Sequence, residues 1–192
     1  MKQIESFFWG IPAALAALLA QIAIVALFLI LQDSTGKAQM DILSQSLLGI
    51  GIAVLLEEIF KYLIIAKRID LISLNMSYLF NALLFGLGFA LTEQVIGYLN
   101  YGRIAENELF PVLGAMSVHI ITSQFISYRI STTNPMKLSV MIPTIFFATV
   151  VHFSYNFLEY SFKYAVLYIA YATLAILLCY TLINIYRFKK QT

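Results

Sequence analysis

From Ser6 to Gln32 the chain runs without one charged side chain. A helix rises about 1.5 Å per residue, and about 20 apolar residues cross the hydrocarbon core of a bilayer. A run of this length therefore predicts a membrane-spanning helix. Segments of the same kind recur, and the spans read as approximately 7–31, 42–66, 72–99, 109–128, 138–158 and 164–186. The expected fold class is an all-α membrane protein: a polytopic bundle of about six transmembrane helices, forming one integral membrane domain over 1–192. Composition agrees, with 61% hydrophobic and 11% charged residues, where soluble domains are nearer half apolar and a quarter charged. The first run exceeds the apolar core of a cleaved signal and ends without a small-x-small site, so it is expected to stay as the first membrane helix.

The connections are short and polar, which favours antiparallel neighbours. Lys2, Lys67, Arg68, Arg129, Lys137, Arg187, Lys189 and Lys190 fall at one set of ends, and Lys37, Arg103 and Lys163 at the other. The richer set is expected to face the cytoplasm, with both termini inside. A net charge of +2 gives no basic surface for nucleic acid. The single cysteine, Cys179, lies in an apolar run and reads as a small hydrophobe. Membrane lipid is the one partner that composition itself predicts.

Against this background, Glu57, Glu58, Lys61, Glu93, His119 and His152 stand inside predicted spans. Each acid or lysine near a helix centre costs roughly 2.5–3.5 kcal/mol to insert. Four together cost on the order of 10 kcal/mol, comparable to the stability of a whole domain. At about 100° per residue, Lys61 projects between Glu57 and Glu58, and the three form one polar face. Gly49 and Ala53 continue the Glu57 stripe; Gly86, Ala90, Glu93 and Gly97 share another; Ala148, His152 and Asn156 share a third. Small residues allow close helix approach, so these groups are expected on packing faces.

The chemistry such parts allow is hydrolysis. A glutamate held away from bulk water can serve as a general base near neutrality, with Lys61 as its electrostatic partner. Histidines can hold the water or polarise a carbonyl, and an amide beside His152 can fix its tautomer or hold an oxyanion. Two forms fit the residues equally: a metal-free glutamate mechanism, or a zinc ion on Glu57, His119 and His152. The HExxH signature of one-helix zinc sites is absent.

The run Glu57-Glu58-Ile-Phe-Lys61 resembles the EExxK signature of the PrsW-like intramembrane proteases, within the CAAX-protease and bacteriocin-processing superfamily. Phe85-Gly-Leu-Gly-Phe-Ala-Leu-Thr-Glu93-Gln94 is similar to the second motif, with Gln94 in place of its Asn. His119 falls at the third-motif histidine, and His152-Phe-Ser-Tyr-Asn156 matches the HxxxN form of the last motif. The resemblance implies an intramembrane endopeptidase acting on membrane-anchored protein or peptide substrates, in the cytoplasmic membrane of a prokaryote. It implies that Glu57 activates water and that His119, His152 and Asn156 support the water and the oxyanion. Glu58 and Glu93 join the candidate site. Buried acids and histidines also suit a proton- or ion-coupled transporter or channel. A non-catalytic binding or immunity protein of the same fold would carry the same motifs.

Overall fold

The computed structural model describes residues 2–31, 46–69, 77–101 and 109–161, together with isolated positions between 168 and 183. Five helices are described in full: α1 Lys2–Leu31, α2 Leu47–Ile69, α3 Ser77–Tyr101, α4 Leu109–Thr132 and α5 Leu138–Ser161. No strand occurs among the described residues. Among the described residues, three stretches are long and apolar enough to cross a membrane: Ile4–Phe28, Phe80–Leu99 and Leu138–Ser161. The chain is thus an all-helical protein of membrane type. The expected segment 164–186 lies mostly outside the described residues, as do residues 42–45 and 72–76 at the starts of two others.

Helix ends extend past the apolar runs that announced them. α1 starts at Lys2, where Glu5 complements the positive end of the helix and accepts a hydrogen bond from Trp9 Nε1 at 3.2 Å. α2 continues through Lys67 and Arg68, whose charges suit a helix C-terminus. α4 reaches Thr132 and α5 reaches Ser161. Apolarity measures how much helix lies in lipid, whereas backbone hydrogen bonding continues until a cap or turn intervenes. Such a cap opens α2: Ser46 Oγ accepts from Gly49 N at 3.0 Å. Such a turn closes α4: Asn134 Oδ1 accepts from Met136 N at 3.0 Å around Pro135. Tyr62 O–H then donates to Pro135 O at 2.7 Å, tying α2 to this turn.

α1 packs on α3 and on α2, α3 on α4, α4 on α5 and α2, and α5 on α2. The closest approach depends on small residues. Ala13, Ala14 and Ala17 of α1 are buried. A Cβ on Gly10 would meet the backbone of Phe85 and Phe89, and one on Gly88 would meet the backbone of Phe7. A Cβ on Gly86 would lie 2.8 Å from His119 O, so α3 and α4 touch beside the site. The expected stripe on α3 does not persist: Ala90 is fully buried, but Gly97 faces open space.

These contacts make a paired prediction. Gly88→Ala is expected to lose about 1–3 kcal/mol by overpacking, while Gly97→Ala is expected to be neutral or slightly stabilising through helix propensity. Thermal melts of the two variants in the same detergent check the difference.

Candidate active site

Each helix contributes at least one side chain to a single polar cluster. α2 supplies Glu57, Glu58 and Lys61, all buried, with Lys61 and Glu58 at 0% exposure. Lys61 Nζ lies 2.7 Å from Glu58 Oε1 and donates to Thr122 Oγ1 of α4 at 3.0 Å. It also stands 4.6 Å above the ring of Phe89 from α3, which places a cation on an aromatic face. The lysine therefore pairs with Glu58 and does not bridge both glutamates, as helical spacing alone allowed.

Glu58 Oε1 also meets His152 Nδ1 at 2.7 Å. One buried oxygen thus holds both an ammonium and an imidazole, which fixes the ring of His152 and leaves its Nε2 for other contacts. Glu57 is held differently. Its Oε1 accepts from Gln21 Nε2 of α1 at 3.0 Å. Its Oε2 is buried without a hydrogen-bond partner among the described residues and lies 3.7 Å from His152 Nδ1. The two neighbouring carboxylates have separate tasks: Glu58 is committed to the ion pair and to His152, and Glu57 presents an unengaged oxygen.

His119 of α4 is buried, with its ring 4.6 Å from that of His152 and 5.0 Å from that of Phe89. Its Nε2 lies 2.5 Å from Glu93 Oε2, and its Nδ1 is buried without a hydrogen-bond partner among the described residues. Glu93 is less enclosed than expected, with 44% of its side chain exposed. It therefore stands where the cluster meets its surroundings. Asn156 is half-buried one turn beyond His152 and makes no side-chain hydrogen bond among the described residues.

The structure thus brings Glu57, Glu58, Lys61, Glu93, His119 and His152 together, and leaves Asn156 at the margin. Sequence reasoning missed Gln21 and Phe89 as partners of the cluster; helical spacing puts Thr122 one turn beyond His119 but does not reveal its bond to Lys61. Gln21 carried a signal: it is an amide inside an otherwise apolar helix, and such a group needs a partner in lipid.

Glu57, His119 and His152 each offer one donor atom, all within 4.8 Å of one another. Two imidazoles and a carboxylate form a donor set of the kind that holds catalytic zinc. The unengaged Glu57 Oε2 and His119 Nδ1, with Glu58 behind His152, fit that use. Bound there, such an ion would act as a Lewis acid and acidify its water. The same side chains can handle a proton and a polarised carbonyl with no ion at all.

No protein-family model, curated protein or solved structure matches the chain.

Proposed function

We propose that the chain is an intramembrane endopeptidase that hydrolyses peptide bonds of membrane-anchored proteins. The observation carrying this reading is the unengaged Glu57 Oε2, 3.7 Å from His152 Nδ1 and inside the same donor cluster as His119. A general base must be near its proton, shielded, and not already committed to a permanent partner. Glu57 meets those demands and Glu58 does not.

In this mechanism Glu57 takes a proton from a water as it attacks the scissile carbonyl. His152, steadied by Glu58, and His119, backed by Glu93, stabilise the charge that develops on the carbonyl oxygen. The proton held by Glu57 then passes to the leaving amine. Lys61 holds Glu58 at 2.7 Å, and Glu58 in turn keeps His152 in place. The motif resemblance to PrsW-like proteases supports the same assignment. The arrangement we propose has six spans, both termini on the cytoplasmic side, and a prokaryotic cytoplasmic membrane as its location. Exposed apolar side chains along α1, such as Leu19, Ile22, Leu27 and Ile30, support lipid as its surroundings.

The test is reconstitution in liposomes with a library of quenched-fluorescent peptides, each carrying an apolar transmembrane segment. Cleavage near the membrane, mapped by mass spectrometry, is the expected result. Folded protein that cuts no member of the library overturns the reading. Metal analysis of the active preparation, with a strong chelator added, then separates the two forms of the chemistry. One zinc per chain and loss of rate assign the ion-assisted form. Full rate without bound metal assigns the carboxylate form.

A further inference from the structure

Gln21 of α1 reaches the acidic cluster of α2. Its Nε2 donates to Glu57 Oε1 at 3.0 Å and to Ala53 O at 3.3 Å. Both partners are acceptors, so the amide has one sensible orientation, with its NH₂ toward α2. Its two N–H groups are thereby both used. Nothing in the motif resemblance involves α1.

We infer that Gln21 is a positioning residue for Glu57, holding one carboxylate oxygen so that the other faces His119 and His152. This rests on the hydrolase reading of the same site. A glutamate side chain has three rotatable bonds, and in this cluster it has competing attractions. Lys61 lies four residues ahead on the same helix, and His152 Nδ1 stands 3.7 Å from Oε2. A carboxylate free to turn would swing toward Lys61 and take Oε2 away from His119 and His152. The Gln21 amide removes that freedom by taking Oε1. The second bond, to the Ala53 carbonyl one turn earlier on α2, stops the amide itself from swinging away. Two bonds from one nitrogen thus register α1 against α2 at the depth of the cluster. The arrangement also explains an otherwise costly amide in an apolar helix, since both of its donors are satisfied in a place without bulk water.

The closing experiment uses Gln21→Met, which keeps the volume and removes the donor, in the full-length protein in liposomes. Wild type and Glu57→Gln are run beside it on the transmembrane peptide library. The expected result is a fall in kcat of about ten- to a hundredfold with KM within about twofold, because the lost interaction orients a reacting group and does not bind substrate. Infrared difference spectra give a second readout independent of turnover. The carboxyl vibration that disappears in Glu57→Gln is expected to change frequency in Gln21→Met. A role limited to fastening α1 to α2 would lower thermal stability and leave kcat in place. If wild type cleaves and Gln21→Met keeps its kcat within twofold, the positioning role is wrong while the hydrolase reading stands. If wild type cleaves nothing, the hydrolase reading fails, and an unshifted Glu57 band would by itself refute the Gln21 assignment.

Discussion

Replacing Glu57 by Gln is expected to lower peptide hydrolysis by roughly a hundred- to ten-thousandfold, the usual contribution of a general base. The helical bundle is expected to survive the change. The Gln21 hydrogen bond ends on Glu57 Oε1, and an amide oxygen at the same place can still accept it. The substitution also removes a buried charge, so the melting temperature in detergent should stay level or rise. Rates on a cleaved transmembrane peptide, read beside thermal melts, check both halves. A variant within tenfold of wild type would show that another group activates the water. A proton-flux assay on the same liposomes adds a contrast, because a transporter would lose flux with this variant and show no cleavage in either form. Glu57→Gln is a cleaner probe than His152→Ala, which also strips a partner from buried Glu58.

The second large effect concerns stability. Lys61→Met is expected to cost about 3–5 kcal/mol, the usual penalty for leaving one member of a buried ion pair behind. Glu58 would keep His152 and lose its ammonium, at a position with no solvent exposure. Methionine still fills the space over Phe89, so the loss is mainly electrostatic. Adding Glu58→Gln to Lys61→Met should recover much of the stability, because the stranded charge is gone. Unfolding curves of wild type, both single variants and the double variant form a cycle that isolates the pair. A single-variant loss below about 1 kcal/mol would mean that water reaches Glu58 and that the pair is not sealed.

How far the sequence alone leads depends on whether the property is local. The long helices α1, α3 and α5 were legible because an apolar run needs no partner to be recognised. α2 was harder, since the polar groups that make the cluster also lower its apolar signal. Glu57, Glu58, His119 and His152 stood out because charge and imidazole are expensive in lipid. Their division of labour was not legible. Glu57 and Glu58 differ by about 100° on one helix, and Lys61 is within helical reach of both. Thr122 of α4, His152 of α5 and Gln21 of α1 decide which carboxylate is committed, and those neighbours follow from tertiary packing. The Gly10 and Gly88 contacts escaped for the same reason: small residues mark a packing face most clearly beside charged positions, and α1 has none at its centre. Asn156 shows the opposite limit, where correct helical spacing from His152 did not deliver a shared hydrogen bond.

The Glu58–Lys61 pair closes within one turn of one helix. It can therefore form while α2 is still a lone helix, before any other element packs against it, with two of its charges already paired. Glu57 has no such local relief. Its hydrogen-bond donor sits on α1, earlier in the chain, so biosynthetic order itself supplies a waiting neighbour when α2 arrives.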